Sequence, residues 1–547
     1  MNTAILYSAE GFSTNADTLM GVNVASADFL RAFARYSSSD EFWACIHKPE
    51  YAEPFKKTIR AEGRDEPVYF VERHNLADLG RPGLLFVSGP ALSQMAWLRA
   101  AHGHAAFGLC GITHATSGYA ASQLAAFLTS PLQIWDSLIC TSTAVKDNVQ
   151  RVLRAQAEYL RERLGAQHFV LPELPLIPLG IHTADFKNLQ QKKTSARAEL
   201  GIENDELLIL YVGRLTFRNK ASPLPMYQAL EMAAQETGRK LVLLECGWFA
   251  SPRMQEAYTK AREELCPSVR YIHLDGRQSE NCRLAWSCAD IFCSLADNVQ
   301  ESFGLTPLEA MAVGLPLVVS DWSGYRDTVR HSIDGFCVPT VMPQAGLGND
   351  LAQRFALEMD SYEDYSARTA SLVAVDVRAT CDAFVRLITE PALRAQMGAA
   401  GQTRACNIYD WSVIIPQMEE HFAQQHTLRK AHAKTSPAHP WPGFIDPFYS
   451  FATYPTRALS PNTRLALTWP DLGLATEQVD RLLQLEMVSS VFDTLLTRAE
   501  LQAVLQSCAR EPKKASLIVA DLPAERQAHA FRTLTWLLKL NILQLAK

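Results

Sequence analysis

Residues 290–321 read "DIFCSLADNVQESFGLTPLEAMAVGLPLVVSD". Two apolar runs, DIFCSLAD and LPLVVSD, flank a segment of helical patterning, and turn residues bound them. A strand, a helix and a second strand in this order are the repeating unit of a parallel sheet. Two carboxylates, Glu301 and Glu309, stand on either side of the helix start. Thr306-Pro307-Leu308-Glu309 fits a capping box, with Thr306 as N-cap, Pro307 at N1 and Glu309 at N3. Capping does not explain Glu301, which follows a strand and a short turn, at the carboxyl end where open α/β sheets bind ligands. The amides of Phe303, Gly304 and Leu305 lead into the helix, where free N–H groups and the helix dipole favour a phosphate. Gly304 lets the backbone come close. The segment therefore reads as an anion cradle flanked by two hydroxyl acceptors, and a nucleoside diphosphate sugar fits it.

The same alternation extends in both directions. Upstream, NTAILYS, EFWACIH, PVYFVER, GLLFVSG, AAFGLCGITH and SLICTS read as six strands separated by helical patterns such as VASADFLRAFARY. The rhythm pauses at LPLIPLGIHTADF, residues 174–186, and a polar basic segment follows. It restarts with LLILYVGRL, KLVLLECGW, VRYIHLDG, DIFCSLAD, LPLVVSD and GFCVP. Two doubly wound α/β domains are thus predicted, over residues 1–186 and 187–407. Residues 426–473, rich in Pro, His and aromatics, read as a linker, and 474–547 as a small helical or winged-helix accessory domain.

Composition narrows the function classes. The chain has 547 residues, enough for several domains, with 48% apolar and 20% charged residues, the balance of a globular protein. Its net charge of −6 gives no global pull toward nucleic acid, and residues 461–547 carry no basic stripe of a DNA-binding tail. None of the twelve cysteines forms a CxxC pair, and the tightest group, Cys282, Cys288 and Cys293, lies in apolar surroundings. Buried free thiols in a reducing compartment are expected, not a metal site. MNTAILYSAEGF has neither the basic start nor the apolar run of a signal peptide, and no stretch approaches the roughly 18 apolar residues of a span. A cytoplasmic protein is expected, with peripheral membrane contact left open.

The stretch ESFGLTPLEAMAVGLPLVVSDWSGYRDTVRHSIDGFCVPT resembles the signature of the retaining glycosyltransferases of family 4, the group 1 type. That family has the GT-B fold of two facing Rossmann-like domains. Its motif of two glutamates separated by seven residues corresponds to Glu301 and Glu309, and Phe303-Gly304 and Pro307-Leu308 match as well. The resemblance covers about residues 1–425 and leaves the tail outside. It implies that Glu301 accepts hydrogen bonds from the donor sugar and Glu309 from the ribose. The backbone of Phe303 to Leu305 would receive the distal phosphate.

Other landmarks follow from the same resemblance. In YVGRLTFRNKASPLPMYQAL, Arg214 and Lys220 would grip the diphosphate, although spacing alone favours a solvated loop. Lys220 falls one place later than the commonest spacing, and Ala221 replaces the usual glycine. In TLMGVNVASADFL, Gly21 corresponds to the N-terminal glycine loop, with Met20-Gly21 in place of a double glycine; an ordinary turn is the alternative. In CGITHATSGY, His114 would contact the donor sugar and the reacting region, against the plainer reading of a packed histidine. In PLIPLGIHTADF, Leu179 and His182 replace the family's usual Asn and Asp. YDWSVIIPQMEEHF, with Trp411, resembles the helix that closes the second domain and crosses back to the first, at about residues 408–425.

The function implied is retaining transfer of a hexosyl group from a nucleotide diphosphate sugar, UDP favoured, to an unidentified glycan, lipid or protein acceptor. No Asp-x-Asp stands at a strand end, and neither a metal nor a cofactor beyond the co-substrate is expected. Front-face attack, with the leaving phosphate oxygen helping to take the acceptor's proton, is the implied path. Two alternatives stay open. One is a nucleotide-sugar-binding scaffold or sensor whose C-terminal extension engages a protein partner through RTLTWLLKLNILQL, a stretch that reads equally as a buried helix. The other is a nucleotide-sugar epimerase.

Overall fold

The structure, a computed structural model, describes residues 2–13, 21–432 and 440–546. All twelve anticipated strands are present. β1 (Ala4–Leu6), β2 (Phe42–Ile46), β3 (Val68–Glu72), β4 (Leu84–Val87), β5 (Gly108–Ile112) and β6 (Ser137–Ile139) form one sheet in the order β3-β2-β1-β4-β5-β6. β7 (Leu207–Val212), β8 (Leu241–Gly247), β9 (Arg270–Asp275), β10 (Ile291–Ser294), β11 (Leu317–Ser320) and β12 (Gly335–Val338) form the second, in the order β12-β11-β10-β7-β8-β9. Every pairing in both sheets is parallel.

Each sheet thus has the Rossmann strand order, which reverses between its first and fourth strands: β1 and β4 in one, β7 and β10 in the other. The fold is the expected α/β, GT-B arrangement of two doubly wound domains. Strands β2 and β8 are buried along their whole length, because helices cover both faces of a parallel sheet. Each fully buried Val, Leu or Ile contributes about 1.5–3 kcal/mol.

The chain crosses between the two sheet domains twice, side by side. Ile181 N donates to Tyr409 O at 2.8 Å, and Trp411 N donates to Ile181 O at 3.1 Å. A side chain at Gly180 would come within 2.6 Å of the Trp411 ring, so glycine is required there. The Asp410 carboxylate accepts from Thr183 N at 3.2 Å and from Ser412 N at 2.9 Å, pinning both crossings.

The returning helix, Trp411–His432, packs on the first domain. Trp411 meets Phe29 at 6.1 Å between ring centres, His421 Nε2 lies 2.9 Å from Ser137 Oγ, and Arg429 donates to Ala105 O at 2.6 Å. The helix runs beyond residue 425, so residues 426–432 are not linker. Their polar side chains hid this, yet Arg429 is buried. Residues 433–439 of the expected linker lie outside the described residues.

Past β12, a neck of β13 (Thr340–Val341) and β14 (Ala374–Val375), paired antiparallel, carries two helices, Asn349–Ala356 and Tyr362–Ala370. Among the described residues, no helix is long and apolar enough to cross a membrane.

Residues 442–547 form a separate compact unit. It holds a three-stranded antiparallel sheet of β15 (Arg464–Leu467), β16 (Lys513–Lys514) and β17 (Leu543–Leu545). Helices Leu472–Leu482, Arg498–Cys508 and Gln527–Lys539 share its core. The unit starts earlier than the expected residue 474, because Leu465 on β15 is fully buried in that core. Leu534 and Leu537 of the RTLTWLLKLNILQL stretch are buried there too.

Candidate functional site

The charged residues singled out in the sequence gather at the switch point of the second sheet. Arg214 and Lys220 lie in the loop after β7, and Glu301 in the loop after β10. Lys220 Nζ sits 2.7 Å from Glu301 Oε2, across the two neighbouring strand ends. The Glu301 side chain is 9% exposed and that of Lys220 27%.

Asn298 holds this pair in place. Its side-chain amide donates to the Lys220 carbonyl, and its Oδ1 accepts from the amides of Gln300 at 2.9 Å and Glu301 at 3.1 Å. Its own carbonyl accepts from Trp322 Nε1 at 2.9 Å. Sequence reasoning passed over Asn298. The available signal was a polar pair, Asp297-Asn298, closing an apolar strand run just before Glu301. Asp297 accepts from Ser222 N at 3.2 Å, and burial pushes its carboxyl up to about 7.

Arg214 is half-buried and makes no side-chain hydrogen bond or ion pair among the described residues, so its guanidinium is available to a ligand. Arg218, which had no role in the sequence reading, pairs with Glu363 at 3.2 Å and with Asp364.

The cradle is built by glycine. Helix Leu305–Val313 has Gly304 as its N-cap, at φ 86° and ψ 100°. The expected capping box is absent: Thr306 lies inside the helix, and the Glu309 carboxyl takes no hydrogen bond among the described residues. Any Cβ at Gly304 would fall 2.1 Å from the Tyr325 ring, which is buried and places its hydroxyl 2.9 Å from Ser294 Oγ. Gly324 packs against the Phe303 backbone, where an added Cβ would fall 2.5 Å from its Cα. The amides of Phe303 and Gly304 donate no hydrogen bond among the described residues, and that of Leu305 opens the helix. Such free donors at a helix start suit an anion. Glu309 is half-buried; burial pushes its carboxyl up to about 8, and the nearby Asp28 adds to this while Lys220 opposes it. Burial likewise lifts Asp28, on helix Gly21–Tyr36 of the first domain, to about 6.

Besides Asp28, the first domain brings hydroxyls and a histidine. Ser26 Oγ lies 2.7 Å from Ser88 Oγ, and Ser88 Oγ 3.2 Å from His114 Nε2, just past β5. Burial pushes the His114 imidazole down to about 4, so it is neutral at physiological pH. Neither serine was singled out in the sequence. The His114 loop touches the cradle: Ser302 Oγ donates to His114 O at 2.7 Å, and Ser142 Oγ donates to Ser302 O at 2.8 Å. Gly21 stands at the exposed start of its helix, where an added Cβ would meet nothing within 4 Å, and Met20 lies outside the described residues. The structure thus groups Lys220, Glu301, the cradle and the His114 loop, and leaves Gly21 without a steric reason of its own.

Residues 192–364 match the family model of glycosyl transferases group 1. The matched group 1 segment contains Arg214, Lys220, Glu301, the cradle and Glu309, and none of the first sheet. Over 161 residues the chain is 29% identical to an uncharacterized glycosyltransferase of Methanocaldococcus jannaschii, covering 29% of this chain and 39% of that protein. Over 185 residues it is 28% identical to a D-inositol 3-phosphate glycosyltransferase of Nocardia farcinica, covering 34% of this chain and 39% of that protein. The chain therefore matches well under half the length of these relatives. Sucrose-phosphate synthase from Thermosynechococcus elongatus aligns in structure with a TM-score of 0.47 and 18% identity, over 78% of this chain and 100% of that one.

Proposed function

We propose that this protein is a retaining glycosyltransferase that moves a hexosyl group from a nucleotide diphosphate sugar, UDP favoured, to a hydroxyl of an acceptor. The observation that carries the reading is the Lys220–Glu301 pair beside unpaired cradle amides at the switch point of the second sheet. In this reading the diphosphate docks on the amides of Phe303 to Leu305, with Arg214 and Lys220 meeting its oxygens. Glu301, oriented by Lys220 and Asn298, accepts hydrogen bonds from the sugar, and Glu309 from the ribose.

Charge grows on the leaving phosphate as the glycosidic bond breaks. Arg214, Lys220 and the helix start stabilise that charge without a metal, and their positions are fixed beforehand by the two loops. A leaving phosphate oxygen then takes the acceptor's proton on the same face as attack. Glu301 is engaged by Lys220, which suits a hydroxyl binder better than one member of a hydrolase's carboxylate pair. Neutral His114, held by Ser88, lines the sugar from the opposite domain. All twelve cysteines are free thiols, which supports a reducing, cytoplasmic setting.

The test is a thermal-shift screen against UDP, GDP, ADP and their hexose conjugates, followed by NMR of the glycoside formed. Selective stabilisation by one nucleotide series, with the donor's anomeric configuration kept in the product, is expected. Binding with neither transfer nor hydrolysis would favour a scaffold instead.

A further inference from the structure

A cavity of about 940 Å³ lies beside the cradle and contains none of the donor-site residues named above. Its size is at the upper end for a small-molecule site, roughly 300–1,000 Å³. Its two walls differ in chemistry. Thr143, Asp147 and Arg151 of the first domain, with Ser323 and Arg326 of the second, make a polar wall. Met342, Leu347, Leu351 and Leu372, from the insert carried on the β13–β14 neck, make an apolar one. Leu347 is 70% exposed, Met342 57% and Leu372 51%, so the apolar wall is open to whatever fills the cavity.

This cavity adjoins the site. Thr143 on its wall donates its amide to Asp327 Oδ2 at 2.5 Å, and the neighbouring Ser142 hydrogen-bonds Ser302 of the cradle. Ser323 on the same wall precedes Gly324, which packs on Phe303. The insert is tied to both site loops as well. Tyr362 OH lies 2.8 Å from Ser117 Oγ, just past His114, and Glu363 pairs with Arg218, just before Lys220.

We infer that this cavity is the acceptor site and takes an amphipathic molecule, with a hydroxyl-bearing head on the polar wall and a hydrocarbon tail along the insert. The acceptor role rests on the transferase reading; the amphiphile binding does not. Alkyl β-glucosides from methyl to decyl, each below its micelle concentration, are the probes, read by calorimetry. Affinity should rise about two- to fourfold per added methylene, as for burial of hydrocarbon. Leu347→Asp and Leu372→Asp, at exposed positions that tolerate a charge, should abolish that dependence on chain length and leave UDP affinity within twofold of the wild type. Affinity independent of chain length, no binding of any glucoside, or a series unchanged by both variants overturns the inference. Failure of the wild type to bind any nucleotide counts against the donor reading alone, because the glucoside series reports on the cavity separately.

Discussion

The two sheets share one strand order, yet their switch points carry opposite chemistry. At β7 and β10 stand a half-buried cation–carboxylate pair, an arginine unpaired among the described residues and an open helix start. At β1 and β4 stand hydroxyls, Ser26 and Ser88, linked to a neutral histidine. Topology supplies the crevice in both cases, and side chains decide what enters it. The charged crevice suits a diphosphate; in the proposed reading the neutral one meets an uncharged sugar.

The largest effect is expected from breaking the charged crevice. Lys220→Met strands Glu301 without its cation, and the turnover number for sugar transfer should fall by about 10²–10³. The variant should also lose up to about 3 kcal/mol of stability in urea unfolding. Glu301→Gln, which keeps the shape, should lose turnover with little loss of stability. Equal turnover in the wild type and both variants would erase the distinction between the two switch points.

Arg214→Ala ranks next. Among the described residues it has no partner to strand, so the fold should stay intact, while affinity for a nucleoside diphosphate drops about 10- to 100-fold, the worth of a charged hydrogen bond. Uridine affinity should not change. Parallel titrations of UDP and uridine decide this.

Glu309 sharpens the comparison through pH. Its carboxyl holds a proton up to about pH 8 in the folded chain, well above its ordinary 4.5. The folded state therefore binds more protons than the unfolded one between these values. Stability from this group is full below about pH 4.5 and declines as pH rises toward about 8. Urea midpoints at pH 5 and pH 8 should differ less for Glu309→Gln than for the wild type. The smallest effect belongs to the neutral crevice. With an imidazole near 4, His114 should leave no inflection near pH 6.5 in the rate profile, and His114→Asn should lower turnover without adding one.

Much of this arrangement was legible in the sequence. Parallel strands buried on both faces are near-continuous apolar runs, so β2, β8 and their neighbours announced themselves. Glu301 could be placed because it follows such a run, whereas Arg214 and Lys220 were placed by the family resemblance. The capping box around Glu309 misled, since the cap is set by Gly304 and its clearance from Tyr325, a contact far along the chain. Asn298 was missed because its worth lies in joining two loops that only the sheet brings together. The four-residue β15 was too short to stand out from a linker. The two-walled cavity has no local signature, as its walls come from distant segments.

The central claim, that the switch point of the second sheet binds a nucleoside diphosphate, is tested most directly by calorimetric titration of the intact wild-type chain with UDP, GDP, ADP and uridine. One diphosphate, UDP favoured, should bind at least about 10-fold more tightly than its nucleoside, because the cradle and Arg214 recognise the phosphates. Binding of no diphosphate, or diphosphate and nucleoside affinities that coincide, would contradict it.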